Sequence, residues 1–95
     1  MQRNEIMKHI KDHWDDLIKQ EISLTDIKEN SPLFNIMQEA ANNGIHLAQH
    51  NMGMWNELVK KDYDEALRWY GKAASSGFEE SAIAYTDLVF KITNE

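Results

Sequence analysis

The chain has 95 residues, with 16 acidic side chains against 10 basic ones, no cysteine and one proline. That length makes one small domain and excludes a Rossmann sheet or a TIM barrel, while the missing cysteine excludes disulfides, a thiolate nucleophile and cysteine-based metal sites. A formal charge of −6 argues against nucleic-acid or anionic-membrane binding, because phosphate neutralisation needs a basic face.

The spacing of Ile6, Ile10, Trp14, Leu17, Ile18 and Ile22 draws one apolar stripe along a first helix over about 4–21. Lys8, Lys11, Asp12, Asp15, Asp16 and Lys19 lie between them and suit a solvated back. Ser23 to Asp26 reads as a turn, with Thr25 placed to cap a short helical segment through Lys28. Ser31-Pro32 starts a second helix: the hydroxyl accepts a backbone N–H, and proline at the first position forfeits a donor that has no partner there anyway. Asn43-Gly44 stops it. A third helix runs over about 46–57, a fourth from the cap Asp62 to Ala74, and a fifth over about 79–92. No strand and no interdomain linker is expected.

Shifted by 33 positions, the chain falls into register with itself. Ala40-Ala41-Asn42-Asn43-Gly44 lies over Ala73-Ala74-Ser75-Ser76-Gly77, Ala48 over Ser81 and Met52 over Tyr85. Two helices per unit at this period point to a helical repeat array. Its small residues let neighbouring helices approach closely while the aromatics fill the space beside them.

The string over 40–82 resembles a Sel1-like repeat, a relative of the tetratricopeptide repeat. The matching residues are Ala41, Gly44, Ala48 and Gly53, then Asp62, Tyr63, Ala66, Trp69, Tyr70, Ala73, Ala74 and Gly77. The resemblance covers one full repeat with partial repeats on either side. It implies an all-α fold: a short right-handed α–α superhelix of about five helices, with residues 1–30 as an N-terminal helical cap and 31–95 as the repeat region of a single domain. Two departures stand out. The segment 56–61 lacks the family's Gly-x-Gly loop and is about three residues shorter, and Asn56 replaces an aromatic, with Trp55 one position earlier. A tighter or rotated corner is expected there.

Catalytic chemistry finds little purchase. His9/His13 and His46/His50 each sit four apart, but a catalytic zinc takes a third protein ligand, so they read as polar residues on amphipathic helices. The serines at 23, 31, 75 and 76 sit at caps and turns, and no Gly-x-Ser-x-Gly elbow or phosphate-cradling loop exists. Asp15-Asp16 and Glu79-Glu80 diverge around their helices. Trp14, Trp55 and Trp69 lack interleaved basic residues and read as core. No catalytic residue, metal or cofactor is expected.

The resemblance implies protein binding on a concave face. Leu47, His50, Met54 and Glu57 from one helix, and Ile83, Asp87 and Phe90 from another, project towards it. No apolar run approaches the roughly 18–20 residues of a membrane span, and 1–5 carries no apolar signal region, so the expected setting is cytoplasmic. The favoured reading is a small acidic inhibitor of a basic protein, such as an immunity protein binding a toxin or nuclease domain, with a monomer favoured over a homodimer. The alternatives are a Sel1-like adaptor, scaffold or regulatory subunit, and a histidine-based metal-binding protein.

Overall fold

The computed structural model describes residues 24–94: a 3-10 turn (Leu24–Asp26), α1 (Pro32–Asn42), α2 (His46–Trp55), a π-helical turn (Asn56–Lys60), α3 (Tyr63–Ser75) and α4 (Glu79–Thr93). No strand occurs among the described residues. The helix expected over 4–21, with His9, His13 and Trp14, lies outside them.

Local chemistry sets the helix starts. Ser31 Oγ accepts from the Phe34 N–H at 3.2 Å, and Asp62 Oδ1 accepts from the Glu65 N–H at 3.1 Å. Each satisfies a donor that the first turn leaves without an intrahelical partner, worth about 1 kcal/mol. Thr25, expected to precede its helical turn, instead sits inside it, because the turn already opens at Leu24.

The two helix ends at Gly44 and Gly77 are built alike. Ile45 N–H reaches the Ala40 carbonyl at 3.1 Å, and 33 residues on Phe78 N–H reaches Ala73 at 3.1 Å. Gly44 and Gly77 follow suit, donating to Ala41 and Ala74 at 3.1 and 2.9 Å. Both glycines take φ values that disfavour a side chain, +87° and +94°. The next helices begin at His46 and Glu79, again 33 apart.

The connection between α2 and α3 is not a loop. Beyond Trp55 the helix widens into the π turn, and Lys61 closes it in the left-handed region at φ 61°. The N–H groups of Lys61 and Asp62 both donate to the Asn56 carbonyl, the latter at 2.9 Å. The buried Asn56 side chain also donates through Nδ2 to the Met52 carbonyl at 2.8 Å. An amide side chain therefore braces the backbone at this corner.

Packing runs mainly between helices adjacent in sequence. One core cluster joins Ile27, Phe34, Met37, Met52, Trp55 and Trp69 around the small Ala40, Ala41 and Ala48. Phe34 and Trp55 rings tilt together at 4.7 Å, and Trp55 Nε1 donates to the Ile27 carbonyl at 2.9 Å, tying the 3-10 turn to α2. Ala66, Tyr70 and Leu88 form a second cluster, with Met54, Tyr63, Leu67 and Ala84 packed against it. Burying side chains of this size contributes about 1.5–3 kcal/mol each, so these clusters hold the helices together. Gly53 lies directly under the Tyr70 ring, which brings α2 and α3 into close approach.

Candidate functional site

The residues expected on the concave face separate into two groups. On α4, Ile83 and Phe90 are the most open large apolar side chains, 56% and 68% exposed, and Asp87 between them is exposed as well. Leu47, Met54 and Glu57 are half-buried. Met54 packs on the second core cluster, and Glu57 Oε1 accepts the Tyr70 hydroxyl at 2.9 Å. Burial, and then that bond to a carboxylate, pushes the Tyr70 phenol well above its ordinary pKa.

His50 is placed differently from its expected role. It is 9% exposed, and its Nδ1 lies 2.7 Å from the hydroxyl of Ser81, which is fully buried. The imidazole stacks on Phe78 at 5.4 Å with an interplanar angle of 5°, and the Tyr70 ring lies 5.5 Å away. His50 thus joins α2 to α4 instead of offering a ring to a partner. Helical projection put it on the open face because projection ignores which neighbour arrives. The sequence did carry one signal, Ser81 standing in register with Ala48: a small residue at a crowded position, with a hydroxyl that must find a partner once buried.

The register also explains the outer surface of α4. Met52, Asn56 and Val59 are buried or half-buried, whereas their equivalents 33 residues later, Tyr85, Val89 and Ile92, are exposed. Met52 and Asn56 lie beside Trp69 of α3. Among the described residues α4 has no helix after it.

A hollow of about 170 Å³ opens between α1 and α3 over Phe34, Trp55 and Trp69. Its charged groups already have partners: Lys60 Nζ meets Glu29 Oε2 at 2.8 Å, Asp62 caps α3 and Glu65 pairs with Arg68. Arg68 and Lys72 each lie 4.9 Å from the Trp69 ring centroid, a cation–π arrangement on the outside of α3.

No group of three or more His, Asp or Glu side chains placed to hold a metal ion occurs among the described residues. Of the second histidine pair, His46 is exposed and His50 is spent on Ser81. No helix among the described residues is long and apolar enough to cross a membrane. No protein-family model, curated protein or solved structure matches the chain.

Proposed function

We propose that the chain is a non-enzymatic protein-binding module: a short right-handed α–α superhelix of the Sel1-like type that acts as a small acidic inhibitor. Its partner is a basic protein domain, in the manner of an immunity protein covering a toxin or nuclease. One observation carries this reading. Ile83 and Phe90 stand open to solvent on α4 with Asp87 between them in sequence. Large exposed apolar side chains bordered by acids are the ingredients of an interface: the former supply affinity on desolvation, the latter steer a cationic partner. The overall charge of −6 acts in the same direction at longer range. The matching corners at Gly44 and Gly77 support the repeat assignment.

A second reading, an adaptor, scaffold or regulatory subunit, is favoured by the exposed row Tyr85, Val89 and Ile92. Their register equivalents are buried or half-buried, with Met52 and Val59 packed in or against the cluster that holds Trp69, so this row is where a further repeat would pack.

Capturing partners on the immobilised chain and measuring each affinity by calorimetry at two salt concentrations tests the inhibitor reading; capture alone proves nothing. A basic partner should bind, weaken as salt rises, and lose about 30-fold in affinity with Phe90→Glu, the loss typical of a hot-spot residue. The melting temperature should stay unchanged, since the ring is largely in water. Affinity indifferent to both salt and Phe90→Glu refutes the proposal.

A further inference from the structure

We propose that the His50–Ser81 contact is a pH-sensitive pin that holds the start of α4 on α2 and releases when the imidazole becomes protonated. This device belongs to the fold itself and does not rest on the identity of any partner. Its geometry is that of a titratable group at a seam between helices: an imidazole nitrogen 2.7 Å from a fully buried hydroxyl, one ring face against Phe78 and Tyr70 close by. Ser81 and Phe78 belong to the first turn and N-cap position of α4, and no side chain caps that end. The contact therefore sits at the start of the helix, where unpaired N–H groups and the macrodipole create positive potential that opposes an imidazolium.

The surrounding charges can be read element by element. On α4, Glu80 attracts a cationic ring. On α3, Tyr70 presents a neutral phenol whose hydroxyl is turned to Glu57, so that carboxylate is already engaged. On α2 itself, His46 lies one turn upstream and is exposed. Loss of water around the ring outweighs Glu80: burial lowers the His50 pKa from its ordinary value of 6.5, with Glu80 opposing by less.

The direction of the effect follows. A histidine whose pKa is lower in the folded state binds its proton more readily once α4 has opened. The pin is therefore intact above about pH 6.5 and weakens as pH falls below that value. The opening is local: among the described residues α4 rests chiefly on α3, and an element held by one main neighbour can detach without global unfolding.

Residue-resolved amide exchange of the whole chain, corrected for intrinsic rates, tests this at pH 7.5 and 5.5. Protection of α4 amides from Ala84 to Val89 should fall about threefold or more, against a ceiling of tenfold per pH unit for a single proton. Protection in α1 should change less. His50→Gln should abolish the pH dependence, leaving the remaining histidines as internal controls. If that variant does not fold, Ser81→Ala serves: it should lower α4 protection already at pH 7.5 by removing the hydroxyl partner, while the buried His50 keeps the dependence on pH, and unchanged protection at pH 7.5 overturns the proposal. The imidazole of the folded protein should titrate below its ordinary value in NMR, so that α4 protection begins to fall at a higher pH than the ring's own midpoint. An equal fall in His50→Gln, protection that stays constant or rises at pH 5.5, or a His50 titration above its ordinary value overturns the proposal.

Discussion

Replacing Gly53 with alanine sets two opposing effects of comparable size against each other. In the interior of a helix glycine is about 0.8–1 kcal/mol less favourable than alanine, so propensity alone makes Gly53→Ala stabilising. A β-carbon at this position, however, would lie 2.5 Å from both Cδ1 and Cε1 of Tyr70 and 3.0 Å from its Cγ. Tyr70 has little room to yield, being 1% exposed and held at its far end by the hydroxyl bond to Glu57. Forcing an extra methyl into a packed core costs about 1–3 kcal/mol, and a contact with three ring carbons at once belongs at the upper end of that range. The balance is a net loss of about 1–2 kcal/mol. For a domain of this size that lowers Tm by about 4–16 °C. Thermal and urea unfolding followed by far-UV circular dichroism provide the readout. Adding Tyr70→Leu removes the ring, so the double variant should be more stable than the sum of the two single losses implies. A Gly53→Ala protein that melts higher than the parent would refute the close approach of α2 and α3.

Two further outcomes follow from the same packing. Trp55→Phe keeps a ring against Phe34 but removes the donor to the Ile27 carbonyl, which should cost about 1–3 kcal/mol as a lower urea midpoint; an unchanged midpoint would mean that the 3-10 turn is not tied to α2 by this bond. Because the Tyr70 pKa is raised in the folded state, the protein's stability should be complete below about pH 10, where a free tyrosine begins to ionise, and should fall as pH rises above it. Tyr70→Phe should lose that alkaline sensitivity in melts at pH 9 and 11, and a profile identical to the parent's would show that other groups cause it.

Helix starts and stops were legible in the sequence because they depend on chemistry within a few residues. Ser31, Asp62, Gly44 and Gly77 each act on backbone groups one to four positions away, and each does in the fold what its residue type allows. The buried alanines were legible for a related reason: the offset of 33 exposes the same small residues twice. The corner at 56–61 was only half legible. Missing glycines indicated a change, but a widened helical turn braced by Asn56 depends on a balance of backbone hydrogen bonds that residue spacing does not encode. The site was read least well, since facing depends on long-range neighbours. Ile83 and Phe90 emerged exposed, but His50 turned to Ser81, 31 residues away, a pairing that a projection of α2 alone could not contain.

The matching corners at Gly44 and Gly77 give the chain a modular grammar. The same hydrogen bonds close both, the same spacing separates them from the next helix, and helices pack chiefly on their sequence neighbours. A unit of 33 residues inserted after Gly77 would meet the outgoing face of α3 as α4 does now, and would present a face of its own to α4 in turn. Under the repeat reading proposed above, length is a free variable: duplication would extend the array one interface at a time, with little change to contacts already made. Under that same proposal, the size of a binding surface would change by counting, without redesign of any single contact.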